Sequence, residues 1–178
     1  VSCNFKINKK LAIELNKKFF EVIIGKGIDR VALKLLSKKK NLRIIDSTNL
    51  RSNEIYNIIS NFNTLLLQTL DNKVFAKKDF HIVSKKKPST KMLKDLIFAF
   101  NVCRYVKSNA IVLTNEDSTI GIGSGQPSRL DSCKIAIEKM KQFHNSKNKD
   151  QILAASDAFF PFVDGIETLV QAGVSAII

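Results

Sequence analysis

The stretch Thr-Ile-Gly-Ile-Gly-Ser-Gly-Gln-Pro-Ser-Arg, residues 119–129, decides the fold of this chain. A strand-like apolar run ends at its glycines, and a helical pattern begins at Arg129. A second such junction, Ala-Ser-Asp-Ala-Phe-Phe-Pro-Phe at residues 155–162, follows the next apolar run. Ligands of open α/β sheets bind at the ends of strands. We therefore expect the two stretches to lie side by side at one edge of a sheet.

Working outward, helices and strands alternate along the chain. Amphipathic helices are predicted over 8–18 and 29–36, with strands over 19–24 and 41–46. This alternation predicts an α/β fold with a mainly parallel sheet covered by helices. A further strand is predicted at 80–83. The second half repeats the pattern, with helices at 90–106 (capped by Ser89), 129–143 and 164–172, and strands at 109–113, 119–123, 152–156 and 174–178. A hairpin around residues 115–117 is one way to join the strands at 109–113 and 119–123.

The length of 178 residues allows a sizeable core. The break near 85–88 is the candidate junction, so we predict two parts, residues 1–87 and 88–178. Because the chain starts at Val1 rather than Met and stops in an apolar strand, we expect it to be a piece of a longer protein. No apolar run reaches the roughly 20 residues that a bilayer span needs, so no membrane partner is predicted.

The cysteines and histidines indicate no metal or disulfide framework. Cys3, Cys103 and Cys133 are odd in number and far apart, which fits a reducing cytoplasm. His81 and His144 stand apart in sequence, and each is interpreted as an ordinary, non-catalytic histidine.

The formal net charge of +13 suggests nucleic acid at first sight, but its distribution favours a solvated surface. Residues 1–91 carry 20 Lys and Arg against 7 Asp and Glu, whereas residues 92–178, which hold the motifs, carry 9 against 9. Lys outnumbers Arg by 24 to 5, although Arg is the preferred residue for bidentate phosphate and base recognition. We predict no nucleic-acid partner.

Two polar residues stand where ordinary local preferences do not explain them. Arg129 lies in the first turn of its helix, where its charge opposes the helix dipole by about 0.3–1 kcal/mol. It is therefore a candidate functional residue, with a plain surface arginine as the alternative. Asn109 can donate and accept at once, which suits recognition of a carboxamide or amine, and a turn role is equally compatible.

The run Phe159-Phe160-Pro161-Phe162 directly follows a strand end. Its aromatic rings either pack on the core or form the wall of a pocket for a flat heterocycle. Asp164 is either the N-cap of the next helix or a polar group in that pocket. The sequence by itself favours neither interpretation.

Taken together, these stretches resemble the AICAR transformylase domain of the bifunctional AICAR transformylase/IMP cyclohydrolase family of purine biosynthesis. The resemblance runs in register over nearly the whole chain. Its matching pieces are residues 38–43, 95–99, 107–110, 120–126 with 128–129, and 156–162 with 164.

The resemblance implies a cytidine-deaminase-like, three-layer α/β/α fold that forms part of a two-subdomain transformylase, and a homodimer. It implies transfer of a formyl group from 10-formyltetrahydrofolate to the 5-amino group of AICAR, in de novo IMP biosynthesis. Neither H-x-E nor P-C-x-x-C, the zinc signatures of such deaminases, occurs, which implies no metal. By similarity, the AICAR-binding residues are Glu21, Asn109 and Arg129, the folate-binding residues are Leu130, Phe159 and Asp164, and the supporting residues are Lys107, Gly123, Gly125, Gln126 and Phe162.

Several departures from the family pattern limit which roles can be assigned to residues of this chain by similarity. No Lys-His pair, which handles the proton transfers in the family, occurs in this sequence, so no catalytic residue is assigned. The implied folate- and phosphate-binding tail and the cyclohydrolase domain are also absent. Asn63-Thr64 replaces two glycines, Gly25-Lys26 replaces Ala-Pro, and Val163 replaces an Arg.

We therefore expect a fragment of a formyltransferase that is inactive by itself. The alternative is an inactive deaminase-like domain kept for nucleotide binding or dimerisation. A third reading, a basic RNA-binding module, is disfavoured by the charge-neutral half that holds the motifs.

Overall fold

The computed structural model describes residues 1–51, 56–143 and 151–178. The chain divides into two compact units, Val1–Asp71 and Asn72–Ile178.

The division falls earlier in the chain than the predicted junction between residues 87 and 88. Phe75 and Phe80 pack on Phe100 of the second unit, with ring centroids 5.0 and 5.2 Å from that ring. Residues 80–83, predicted as a strand, form none. The assignment of the two parts to transformylase subdomains stays a prediction.

The first unit begins as a small parallel sheet with helices. Its elements are β1 (Ser2–Cys3), α1 (Lys9–Asn16), β2 (Val22–Gly25), α2 (Arg30–Leu36) and β3 (Arg43–Asp46). β2 lies between β1 and β3 and runs parallel to both, as the alternation of elements predicts. Ile7, Ile23 and Leu36 are fully buried in its core. Asn8 caps α1, because its side-chain oxygen accepts the N–H of Leu11 at 2.9 Å.

An antiparallel hairpin, β4 (Tyr56–Asn61) and β5 (Thr64–Thr69), completes the first unit. Every residue of both strands is exposed. The turn places Phe62 at a φ of 49° and is closed by the Thr64 hydroxyl, which donates to the carbonyl of Asn61 at 2.7 Å. Phe62 and Asn63 therefore form the turn, and Thr64 begins β5.

The second unit is a mixed sheet between helices. A 3-10 turn (Lys77–Asp79) precedes its main elements, which are α3 (Thr90–Cys103), β6 (Ile111–Asn115), β7 (Ser118–Gly123), α4 (Arg129–Phe143), β8 (Ile152–Ser156), α5 (Asp164–Gln171) and β9 (Val174–Ile177). The Ser89 hydroxyl accepts the N–H of Met92 at 3.2 Å and so caps α3 as predicted.

The prediction of a mainly parallel sheet is wrong for this unit. The strand order is β7-β6-β8-β9, and β6 runs antiparallel to β7 and to β8, whereas β8 and β9 are parallel. The reason is a tight turn at Glu116 and Asp117, whose φ values of 46° and 60° return the chain directly. The buried carboxylate of Asp95 holds this turn by accepting both backbone N–H groups, at 3.2 and 3.1 Å.

The ends of β7 and β8 still lie at one edge of the sheet, as predicted, although β6 runs antiparallel to both. Because β7 and β8 both oppose β6, they run parallel to each other and end at the same edge. Gly123 and Ser156 both pair with Ile111, so the ends of β7 and β8 flank the start of β6.

Three layers build the core of the second unit. On one face of the sheet, α3 contributes Ala99 and Cys103, which pack with Val112. On the other face, α4 and α5 contribute residues such as Cys133 and Leu169. The α/β class is thus confirmed, and the more specific likeness to cytidine deaminases stays a prediction.

Close packing of α4 on β7 depends on two glycines. A Cβ atom added at Gly121 or Gly123 would overlap the backbone carbonyl oxygens of Ala136 and Ser132, respectively. Backbone atoms within a helix cannot give way locally, so these two strand positions exclude any side chain.

We predict that Gly123→Ala lowers the free energy of unfolding by at least about 1–3 kcal/mol, the usual cost of overpacking a close-packed interior. Urea denaturation followed by circular dichroism measures it. Ser118→Ala, at the exposed start of the same strand, is the matched control and should change stability little. Equal midpoints for the two variants would contradict the close-packing account.

Candidate functional site

A cleft of about 400 Å³ opens at the edge where β7 and β8 end. This volume lies within the range of small-molecule sites. The cleft confirms the predicted adjacency of the glycine-rich and phenylalanine-rich stretches. It is lined by Asn109, residues 127–130, residues 158–162, Asp164 and Gly165.

Arg129 forms the polar floor of this cleft. Its Nη1 donates to the hydroxyl of Ser156 at 2.8 Å and to one carboxylate oxygen of Asp157. Its Nη2 donates to the side-chain oxygen of Asn109 at 2.9 Å. Only 12% of the Arg129 side chain is exposed, so the plain surface arginine considered above is excluded.

Asn109 joins Arg129 to the glycine-rich loop. Its side-chain amide donates to the carbonyls of Gln126 and Pro127, both at 2.9 Å. Both amide N–H groups are thereby used within the protein, and one lone pair of the side-chain oxygen accepts from Arg129. The turn and recognition roles predicted for Asn109 are therefore not exclusive, because the remaining lone pair of that oxygen could still accept from a ligand.

Apart from Phe162, which lines the cleft, the predicted supporting residues hold the loop. The N–H of Gly125 donates to the carbonyl of Lys107 at 2.7 Å, and the Gln126 side chain donates to the carbonyl of Ser124 at 3.0 Å. Gly125 has a φ of 67°, a conformation that favours glycine. Gly123 lies at the end of β7 against α4.

The phenylalanine-rich stretch both packs on the core and lines the cleft. Phe160 is half-buried, packs on the core and lies 6.0 Å below the Arg129 guanidinium, measured from its ring centroid. Phe159 and Phe162 line the cleft with 79% and 73% of their surface exposed. Exposed rings beside a polar floor are suited to stacking on a flat heterocycle. Gly165 allows the arrangement, since a Cβ there would come within 2.8 Å of the Phe160 ring.

Asp164 and Leu130, for which folate binding stays a prediction, also line the cleft. Asp164 is the first residue of α5, and its carboxylate accepts the N–H of Gly165 at 2.7 Å. Asp164 is therefore not the N-cap, a position that Val163 occupies, although its carboxylate satisfies one N–H of the first turn and borders the cleft. Val163, which replaces the family's arginine, is exposed beside it.

Glu21 belongs to the first unit, where it directly precedes β2 at the amino end of the parallel strands. Its backbone carbonyl accepts the N–H of Arg43 at 2.9 Å, and the residue is exposed. A part for Glu21 in binding AICAR stays a prediction.

Sequence reasoning assigned no role to Asp157, Ser108 or Ser156. Asp157 accepts from Arg129 with one carboxylate oxygen and from the Ser108 hydroxyl with the other. The signal that could have identified it is its position directly after the end of β8. Burial by itself would raise the pKa of Asp157, but hydrogen bonds from Ser108 and Arg129 lower that pKa below its ordinary value.

The remaining chemical groups lie apart from the cleft or are inert. Burial raises the pKa of Cys103 to about 12 and that of Cys133 to about 11, so both thiols stay protonated. His81 is exposed, and His144 lies outside the described residues. Within residues 1–51, 56–143 and 151–178, no cluster of potential ligands for a metal ion occurs. The helices of that same part are all too short or too polar to cross a membrane.

Comparison with known proteins identifies relatives of the whole chain. The family model described as AICARFT/IMPCHase bienzyme matches residues 1–139. The bifunctional purine biosynthesis protein PurH of Acetivibrio thermocellus is 38% identical over 181 residues, and that of Caldicellulosiruptor saccharolyticus is 39% identical over 179. PurH of Buchnera aphidicola subsp. Acyrthosiphon pisum is 41% identical over 180 residues. Each alignment covers 100% of this chain and 34% of the relative, so the chain spans about a third of their length.

The position of Arg129 at the start of its helix suggests that its loss should cost the fold little, and the contacts of its side chain contradict that expectation. We predict that Arg129→Ala lowers the free energy of unfolding by about 2 kcal/mol, because it leaves the shielded carboxylate of Asp157 without its ion-pair partner. Arg30→Ala is the matched control, since Arg30 also begins a helix but is exposed. Denaturation of the two variants measures the difference, and equal stabilities would show that the Arg129 contacts contribute nothing.

The free energy of unfolding should depend on pH through the ionisation of Asp157. Its folded-state pKa lies below the ordinary value of 3.8, so its contribution is complete above that pH and is lost as the pH falls through the folded-state pKa. We expect wild type to lose more stability than Asp157→Asn when the pH falls from about 5 to about 2. Parallel curves for the two proteins over that interval would contradict the assignment.

Proposed function

This chain belongs to the AICARFT/IMPCHase bienzyme family, and we propose that it forms part of the formyltransferase site of a bifunctional purine biosynthesis enzyme. The reaction is transfer of a formyl group from 10-formyltetrahydrofolate to the 5-amino group of the AICAR nucleotide. Arg129 and Asn109 contact AICAR, and Leu130, Phe159 and Asp164 border the folate. Glu21 is assigned to AICAR on the family resemblance.

The observation that carries this proposal is the composition of the cleft. A guanidinium fixed by three neighbours lies beside two exposed phenylalanine rings at the same sheet edge. Both proposed substrates combine a flat heterocycle with amide or carbonyl groups. Stacking orients the flat part, and the fixed donors of Arg129 select the polar part.

Binding and orientation are what these residues supply to the reaction. Holding two reactants in a reacting geometry can lower the barrier by about 7–11 kcal/mol in favourable cases. The attacking amine must also lose a proton, for which a positioned general base contributes about 10²–10⁴-fold. The Lys-His pair of the family is absent from this sequence, so the proton transfer depends on groups outside residues 1–178.

The proposal also covers the cellular compartment, the oligomeric state and the metal content of the enzyme. Three free, buried cysteines fit the reducing cytoplasm, where we place the protein. Homodimerisation is assigned by resemblance to the family. No metal enters the proposed site, because its lining offers one carboxylate and no thiol or imidazole.

We predict that the purified 178-residue chain does not formylate AICAR. A chimera in which it replaces the matching segment of PurH from Acetivibrio thermocellus should restore turnover. Arg129→Ala in the chimera should lower kcat/KM by about 10²-fold or more, the usual cost of a lost charged contact in an active site. Formylation is followed spectroscopically by the formation of tetrahydrofolate.

Arg30→Ala in the same chimera is the control and should keep its activity. Turnover by the isolated chain at the rate of the chimera would show that the proton-transfer groups are misassigned. A folded chimera that binds AICAR without turnover would favour the inactive nucleotide-binding alternative.

A further inference from the structure

We propose that Asp157 is a positioning residue, which holds the Arg129 guanidinium in the orientation that meets the ligand of the cleft. The identity of that ligand rests on the proposed function. The role of Asp157 itself rests on contacts within this chain.

Asp157 ties together three segments that are distant in sequence. It follows β8, its one carboxylate oxygen accepts from Arg129 at the start of α4, and its other oxygen accepts from Ser108 just before β6. Its backbone N–H donates to the carbonyl of Ala110 at 3.3 Å. The carboxylate is thus fixed from two sides before it engages Arg129.

The ion pair is shielded from water, which distinguishes it from the other ion pairs of the described residues. Side-chain exposure is 12% for Arg129 and 15% for Asp157. In the pairs Lys91–Glu116 and Lys94–Asp117, every side chain is more than half exposed. Exposed pairs of that kind hold their partners weakly, whereas a shielded, hydrogen-bonded pair restrains both side chains.

The contacts with Asp157, Ser156 and Asn109 use only some of the N–H groups of the Arg129 guanidinium. A guanidinium carries five N–H groups in a rigid fork. Nη1 uses both of its N–H groups, on Ser156 and Asp157, and Nη2 uses one, on Asn109. The second N–H of Nη2 and the N–H of Nε have no acceptor among the described residues. Asp157 thereby fixes the fork by one end and leaves donors at the other end for a ligand.

Neutral acceptors alone would hold this side chain less firmly. Without the carboxylate, Arg129 keeps Ser156 and Asn109, and hydrogen bonds between a charged and a neutral group are weaker than those of an ion pair. The side chain would then regain rotamer freedom, which ligand binding has to remove again. Loss of Asp157 should therefore weaken binding only through Arg129.

The first arm of the test observes Arg129 directly by nitrogen-15 NMR of the ligand-free chain. In wild type, restricted rotation should give separate Nη resonances for Arg129, and Asp157→Asn should merge them. Asp131→Asn is the matched control, because Asp131 lies on the same helix with an exposed side chain that faces Lys134. Separate resonances that persist in Asp157→Asn would overturn the proposal.

The second arm is a double-mutant cycle of AICAR affinity, measured by calorimetry on the chimera. Asp157→Asn should weaken binding about tenfold in the wild-type background and less than about twofold in the Arg129→Ala background. A purely structural role would weaken binding equally in both backgrounds, which would contradict action through Arg129.

The NMR experiment tests the positioning role of Asp157, and the affinity measurements also test the proposed function. Merged resonances in Asp157→Asn together with no AICAR binding by the folded wild type would refute the proposed function and leave the positioning role intact. If Asp157→Asn does not fold, Ser108→Ala removes one of the two anchors of the carboxylate while the Arg129–Asp157 pair remains. The Arg129 Nη resonances should then merge at a lower temperature than in wild type, and an unchanged merging temperature would overturn the proposal.

Discussion

The close contact between α4 and β7 is the constraint on which the candidate site depends. Gly121 and Gly123 have no side chains, so the helix lies directly against the strand. Arg129 is the first residue of that helix. Because β8 ends at the same edge, the guanidinium of Arg129, at the start of α4, reaches Ser156 and Asp157. Backbone packing in the core therefore places the principal cation of the cleft.

Local patterns in the sequence predicted the elements well, but not the relative directions of all the strands in the second sheet. The helix at 129–143 and the Ser89 cap were both confirmed, because periodicity and capping are properties of neighbouring residues. The sequence offered the hairpin of β6 and β7 around residues 115–117, and the turn lies there, at Glu116 and Asp117. The expectation of a mainly parallel sheet was wrong, since β6 also runs antiparallel to β8, a pairing between strands that lie far apart in sequence. The sheet edge was still predicted correctly, because β7 and β8 are parallel to each other across β6.

The candidate site shows the same division between local and long-range information. Arg129 was identified by its unfavourable position in a helix, a local signal. Asp157 was not, because its importance comes from Arg129 and Ser108, which lie far away in sequence. For the phenylalanines, core and cleft were alternatives in the sequence, and the fold assigns Phe160 to both and the exposed Phe159 and Phe162 to the cleft. Only the fold could make that assignment, since adjacent aromatic residues carry the same local pattern.

The most direct test of the central claim is to map the AICAR nucleotide on this chain by amide chemical-shift perturbation. If the edge of β7 and β8 is the binding site, the largest changes should fall on residues 107–109, 124–130 and 157–165. Glu167 and the rest of α5 away from the cleft should change little. Saturable shifts centred on another surface, or none at ligand concentrations that saturate the chimera, would contradict the account.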